Sequence, residues 1–407
     1  MLRVNHLSGF GRIVPASGGG GPDPSPKTLT FCCGFECGQL TAHWADIGSV
    51  ASFSTGTVRT GARSMRVNPS SADAFLRPLA GALTIATVSV IRFYVRFATL
   101  PNADTFIAWR GTGAGIIGVR FKQSDSKLYC GESNSSLNGA SGIAVTTGVW
   151  YRIDLKADGT AGAKVVDAQV DGVALGQRTG TSASSPGTSW NIGSSATVSG
   201  DWFYDDVAIS DTSADYPIGA GHVDHFVPVS DGAHSTGTAG NFIVGAAGAN
   251  ITDASTTSYQ LIDEVPLDDA TPDTDDYINL AANTGATANY VEHVIGPASG
   301  VSTPTLGPRG IEVIYAYAAA STGTGAHIFK INDNGTEDNV QSFNAAGSTS
   351  NRYARKHYTD PPSAASVWTT ASGDGNFNNL RTRFGYSNDG NPDQYLTCVM
   401  VEAEFSD

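Results

Sequence analysis

The sequence predicts an all-β chain of two β-sandwich (jelly-roll-like) domains preceded by an extended N-terminal arm, and three observations carry that prediction. Of its 407 residues only 15% are charged, while 40% are hydrophobic and 48 are Gly. That composition favours turn-rich ordered sheet over helix or disorder. Apolar and polar residues alternate with period two in short segments punctuated by Gly, Asn, Asp and Ser, the pattern of half-buried strands. No window shows a sustained apolar stripe at helical spacing with caps. The length is too great for one ordinary core, and two domains are expected.

The arm comes first. "SGGGGPDPSP", residues 17–26, joins four consecutive Gly to alternating Pro, a flexible and then stiff linker. The expected divisions are therefore 1–27 for arm and linker, 28–218 for the first sandwich and 219–407 for the second. "MLRVNHLSGFGRIV" is too short to fold alone and reads either as a segment that orders by docking or as a frayed terminus. Charged residues interrupt it before a seven-residue apolar run can form, so it does not read as a signal peptide, and nothing elsewhere is long enough to span a membrane.

Within the first sandwich, "VIRFYVRF" places Ile91, Phe93, Val95 and Phe97 on one face and Arg92, Tyr94 and Arg96 on the other. "GVWYRIDLKADG" alternates likewise, and "AQVDGVALG" reads as a hairpin turning at Asp171 and Gly172. "DWFYDDVAISD" alternates so that Phe203, Asp205, Val207 and Ile209 share the inward face, with Tyr204, Asp206 and Ala208 opposite. A carboxylate on an inward face must be hydrogen-bonded, paired or metal-bound. Past "SADYPIGAGH", the segments "GIEVIYAYAAA", "AHIFKIND", "NNLRTRFGYSN" and "QYLTCVMVEAEF" are strands again. In the last, Val399, Val401, Ala403 and Phe405 face inward against Glu402 and Glu404.

The net charge of −14 is uneven: residues 1–218 hold 17 Lys and Arg against 16 Asp and Glu, and residues 219–407 hold 7 against 22. Neither half offers the basic surface that nucleic-acid binding requires. The five cysteines, Cys32, Cys33, Cys37, Cys130 and Cys398, form no even framework and read as reduced thiols in a chain assembled inside a cell. "FCCGFECG" reads as small buried hydrophobes on a strand. A metal reading there needs a second Cys/His group, which the sequence does not supply.

Taken in order, "FCCGFECG", "GARSMRVN", "VIRFYVRFATLP", "VWYRIDLKADG", "AQVDGVALG" and "DWFYDDVAISD" resemble the laminin-G-like, concanavalin-A-like sandwiches and related carbohydrate-binding modules over roughly residues 28–211. The resemblance implies that the first and last strands lie together, bringing Glu36 close to Asp205 and Asp206. It implies a structural Ca²⁺ among these three acids, since a hard oxygen site suits that ion. The alternative is that the acids bond backbone amides or Arg side chains without metal. The whole architecture resembles a virion protein of a tailed bacteriophage: a fibre, spike or head decoration made in the host cytoplasm and joined to other virion proteins by its arm. Phage fibres and spikes are often trimers, so a homo-oligomer is expected.

Motifs of catalysis are missing. The Glu-rich strand of sandwich-fold glucanases is absent, and residues 1–218 contain only Glu36 and Glu132 as glutamates. No Gly-x-Ser-x-Gly, His-Glu-x-x-His or phosphate-cradling loop occurs. His222 and His225 flank Asp224, but a spacing of three on a strand points them to opposite faces. The acid-rich run 263–276 reads as a solvated loop, with a second Ca²⁺ site as the sharper alternative. Among the tryptophans, Trp44 and Trp190 lie near turns and are the candidates for stacking on sugar rings, whereas Trp150 and Trp202 read as core. The expectation is thus a non-enzymatic virion surface protein binding host glycans. A capsular polysaccharide depolymerase and a ligand-free decoration protein are the alternatives.

Overall fold

A computed structural model describes residues 27–48, 51–69, 74–79, 85–111, 115–132, 141–180, 187, 189–234, 242–244, 258–263, 278–280, 290–319, 326–344, 352–363, 367–386 and 394–407. The expected arm and nearly all of the acid-rich run 263–276 lie outside the described residues. The protein is all-β, with antiparallel pairing throughout its named strands. Among the described residues the longest α-helix is the single turn Leu40–His43.

Two sheets face each other in the first sandwich. One runs Val173–Ala174, Lys164–Val170, Trp150–Asp158, Val88–Thr99, Asp201–Ser210, Ser64–Val67, Ala51–Ser54, with Leu29–Cys33 also paired to Asp201–Ser210. The other runs Ile143–Ala144, Lys127–Glu132, Ile117–Lys122, Thr105–Arg110, Trp190–Ser194, Ala74–Pro78, Trp44–Ile47. Ile91, Phe93, Val95 and Phe97 enter the core between them, as the alternation of "VIRFYVRF" requires. The hairpin at Asp171 and Gly172 has φ of 51° and 83°, the left-handed pair that a two-residue turn between twisted strands demands.

The strand Asp201–Ser210 corrects the expected face assignment. Its core-facing residues are Trp202 and Tyr204, then Val207 and Ile209. Asp205 pairs with Tyr94 and Ala208 with Arg92, so three steps on one strand meet two on the other. That extra residue is a β-bulge, with Asp206 in the left-handed region at φ 50°, which Asp tolerates better than most side chains. The phase of the alternation flips at the bulge, so Phe203 and Asp205 leave the core face.

In the second sandwich the 13-residue strand Gln394–Ser406 is central. It pairs with Gly221–Asp231 along one edge and with Gly310–Ala319 along the other. Beyond Gly221–Asp231 the sheet continues through Tyr290–Pro297, Arg381–Tyr386, Ala326–Asp333 and Thr336–Asn344, while Arg352–Tyr358 flanks Gly310–Ala319. Val399, Val401, Ala403 and Phe405 line the core. Glu402 and Glu404, on the opposite face, are also fully buried because the first sandwich covers them.

Candidate functional site

The three acids expected to hold Ca²⁺ lie in the seam between the sandwiches. Glu36 accepts the backbone N–H groups of Ala62 (3.0 Å) and Arg63 (3.1 Å). Asp205 accepts those of Arg59 (2.8 Å) and Asp206 (2.9 Å). Asp206 takes the Arg59 guanidinium at 2.7 Å, the Thr60 hydroxyl at 2.7 Å and the Val223 N–H at 2.7 Å. Every oxygen of the three carboxyl groups already has a protein donor. An ion that takes roughly six to eight oxygen ligands would have to displace those donors, so the residues do not fit a Ca²⁺ cage, and that expectation is corrected. The repulsion that called for a cation is relieved otherwise. Burial, opposed by the Ala62 and Arg63 amides and helped by the charge of Asp206, lifts Glu36 to about 8. Burial, then Asp206, pushes Asp205 well above the usual carboxylate range.

More charge pairs continue the seam. Arg59 bridges Asp206 to Asp407 (2.6 Å) and stacks 3.4 Å over the Tyr94 ring. Glu404 receives Arg92 at 2.7 Å and the fork of Arg309. Thr359 Oγ1 donates to the Leu29 carbonyl at 2.5 Å. These contacts fix the two sandwiches against each other, and a pair buried this way is costly to break by removing one member.

Other expected groups are also structural. Trp44 and Trp190 are 2% and 0% exposed, so neither presents a ring face to a sugar, and the expectation that they stack on glycans is corrected. Both begin strands whose first residue already points inward, although a turn precedes them in sequence. Trp150, expected in the core, is half-buried instead. Glu132 is buried against Lys164 at 3.3 Å. His222 contacts Asp407 (2.7 Å) and Asp224 (3.4 Å), whereas His225 lies 3.5 Å from Glu36. Ser258 Oγ lies 2.5 Å from Asp231 and 3.1 Å from His293 Nε2. This is not a hydrolytic triad, because Asp231 bonds the serine itself rather than the far imidazole nitrogen. Asp231 also accepts the amides of Ser258 and Tyr259 and so pins a short 3₁₀ turn.

An open polar cleft of about 310 Å³ lies on the second sandwich, lined by Asn332, Asn334, Gly335, Asn379, Arg381 and Arg383. Asn334 and Gly335, at φ 48° and 92°, form the tight turn between Ala326–Asp333 and Thr336–Asn344. Arg381 and Arg383 stand two apart on one strand and share a face. Beneath them Glu292 is fully buried, accepting Asn332 Nδ2 at 3.0 Å and Arg383 Nε at 2.5 Å, with Arg381 at 3.4 Å. Arg383 also pairs with Glu337, which Lys330 holds at 2.6 Å, and lies 4.0 Å over the Tyr290 ring. Three cations thus face two carboxylates. Arg381 is 35% exposed, and its buried Nε has no hydrogen-bond partner. Arg381 therefore reaches the cleft beside amides that bond within the protein, Asn332 to Glu292 and the Gly335 amide, Asn334 to Asp374 and Asn379 to Arg381, and the exposed edge of its guanidinium suits one negative charge. Sequence reading passed over these residues. The Arg-Thr-Arg alternation in "NNLRTRFGYSN" was the available signal.

No family model matches the chain, and no curated protein matches it. In structure it is similar to an endo-β-1,4-glucuronan lyase from the fungus Trichoderma reesei, with a TM-score of 0.35 and 12% identity over 46% of this chain and 98% of that one. It is also similar to Domain 4 of an extracellular arabinanase from Geobacillus stearothermophilus, solved with arabinotriose (TM-score 0.34, 14% identity, 46% and 93% covered). A sialidase from Trypanosoma rangeli aligns at a TM-score of 0.29 with 12% identity, and the match spans 40% of this chain but 27% of the sialidase. The likeness is coarse and concerns β-rich proteins that act on carbohydrates. The expectation of a non-enzymatic protein stands against the names of these similar structures, a lyase, a domain of an arabinanase and a sialidase, while the likeness itself bears on β-rich architecture alone.

Proposed function

We propose that the chain is a carbohydrate-acting protein, a depolymerase of an acidic polysaccharide, whose second-sandwich cleft holds one charged sugar unit. The observation that carries this reading is the excess cation of the cleft: Arg381, Arg383 and Lys330 against Glu292 and Glu337, framed by Asn332 and Asn379. A guanidinium fork takes a carboxylate with two parallel hydrogen bonds, and side-chain amides take hydroxyls. Neutralising a uronate carboxylate also makes the proton on the adjoining carbon easier to remove, because charge that develops there is stabilised. The acidic remainder of the domain keeps long-range attraction weak, so recognition is local to the cleft.

Titration of the full chain with uronate-containing and neutral oligosaccharides tests the reading. Binding of the uronate series, lost in Arg381→Ala, is expected, together with release of reducing ends from the matching polymer. Absence of binding to every acidic polymer, with no reducing ends released, would overturn it. Anchoring on a larger assembly through residues 1–27 is a separate proposal. Deletion of those residues should abolish incorporation while leaving both sandwiches folded.

A further inference from the structure

A second group of polar side chains at the seam is left incomplete. Cys33 closes the strand Leu29–Cys33, His43 ends the helical turn Leu40–His43, and Glu402 lies on the last strand of the other sandwich. One ligating atom from each lies within 4.8 Å of the others. All three residues are 0% exposed. Neither ring nitrogen of His43 has a hydrogen-bond partner, nor has Glu402 Oε2, which stands 3.5 Å from His43 Nε2. Such orphaned atoms are rare in folded proteins and call for an explanation.

We propose that Cys33, His43 and Glu402 form a buried Zn²⁺-type metal site that staples the first strand of one sandwich to the last strand of the other. The donor set of one sulfur, one imidazole nitrogen and one carboxylate oxygen is that of a borderline-soft divalent ion. A thiolate, a carboxylate and a neutral imidazole around a dication sum to zero charge, the condition for burying all of them together. Surrounding contacts orient the ligands. Trp44 Nε1 and the Phe35 amide each donate to Cys33 Sγ at 3.4 Å, and the Glu36 amide holds Glu402 Oε1 at 3.1 Å, leaving Oε2 toward the histidine. Phe31 packs edge-on to His43 at 5.6 Å and excludes water from that side. Arg355, the cation beside this pocket, donates to the Ala42 carbonyl. No second Cys/His group accompanies "FCCGFECG" because the further ligands are a lone histidine and a glutamate from the far end of the chain.

Metal analysis of the full chain purified without chelator, followed by titration of the stripped protein with Zn²⁺ and Co²⁺, decides the matter. One equivalent of metal is expected, with a thiolate-to-cobalt charge-transfer band and tetrahedral ligand-field bands in the Co²⁺ form. Cys33→Ser should lose the charge-transfer band. Glu402→Gln and His43→Gln should weaken Zn²⁺ at least about tenfold, since even outer-shell changes cost that much. Stripped wild-type protein that is folded yet takes up neither ion would overturn the proposal, as would a Co²⁺ spectrum without the thiolate band. Both of those results come from the wild-type chain and stand even where a variant fails to fold.

Discussion

The seam and the cleft are both built from Arg and carboxylates on antiparallel strands, yet they use charge in opposite ways. In the seam Arg59, Arg92 and Arg309 face Asp206, Asp407 and Glu404, cation for anion, and Arg92 and Glu404 are wholly buried. In the cleft the same residue types are unbalanced, Arg381 reaches solvent, and the carboxylate lies underneath. The difference teaches that residue type alone does not mark a ligand site. What marks it is whether the protein's own groups complete one another.

The comparison breaks most visibly at Arg92. Arg92→Met leaves Glu404 with a single partner in a buried setting and should lower the unfolding free energy of the full chain by about 3–5 kcal/mol in urea. Asp206→Asn removes the charged partner of Arg59 and weakens the contacts to Thr60 and Val223, for an expected loss of about 1.5–3 kcal/mol. Its melting shift on adding chelator should equal that of the wild type, because the seam acids hold no metal in this account. A wild-type shift that disappears in Asp206→Asn would return the ion to Glu36, Asp205 and Asp206.

The seam should also weaken with rising pH. Burial works against the charge of His222, but hydrogen bonds to Asp224 and Asp407 outweigh it and lift the imidazole from 6.5 to about 9. A raised folded-state value gives stability that is complete below 6.5 and is lost as pH passes 9. Glu36, lifted by burial from 4.5 to about 8, acts in the same direction, since the native state keeps a proton that the unfolded chain releases. Thermal melts should therefore fall between pH 6.5 and 9, and Asp407→Asn should flatten the upper part of that decline. A melting temperature that rises across this window would contradict the assignment. The smallest effect belongs to the half-exposed pair Arg66 and Asp201 at 2.8 Å, where Arg66→Ala should cost under about 1 kcal/mol.

Much of the fold was legible because period-two alternation is local. Val88–Thr99 shows its core face residue by residue, and the Asp-Gly turn announces its hairpin. The bulge at Asp206 was not legible, since one extra residue reverses the phase without changing composition, and it moved Asp205 from the core face to the seam. The Phe-Glu and Asp-Asp segments do meet, as the resemblance implied, but the donors that complete them come from the 59–63 loop and from Val223, which no local pattern connects. Trp44 and Trp190 mislead for a related reason: proximity to a turn in sequence says nothing about which way the first strand residue points. Glu402 and Glu404 looked like the solvent side of the closing strand because only the other sandwich makes that side an interior.

The central claim is that completed charge groups hold the fold while incomplete ones hold ligands, and one side-by-side calorimetric experiment tests it most directly. Arg381→Ala and Asp206→Asn are each titrated with the uronate oligosaccharide that the wild type binds best, and each is melted. The account predicts that Arg381→Ala loses binding and melts less far below the wild type than Asp206→Asn does, while Asp206→Asn keeps binding. Undiminished binding by Arg381→Ala, or loss of binding in a folded Asp206→Asn, would contradict it.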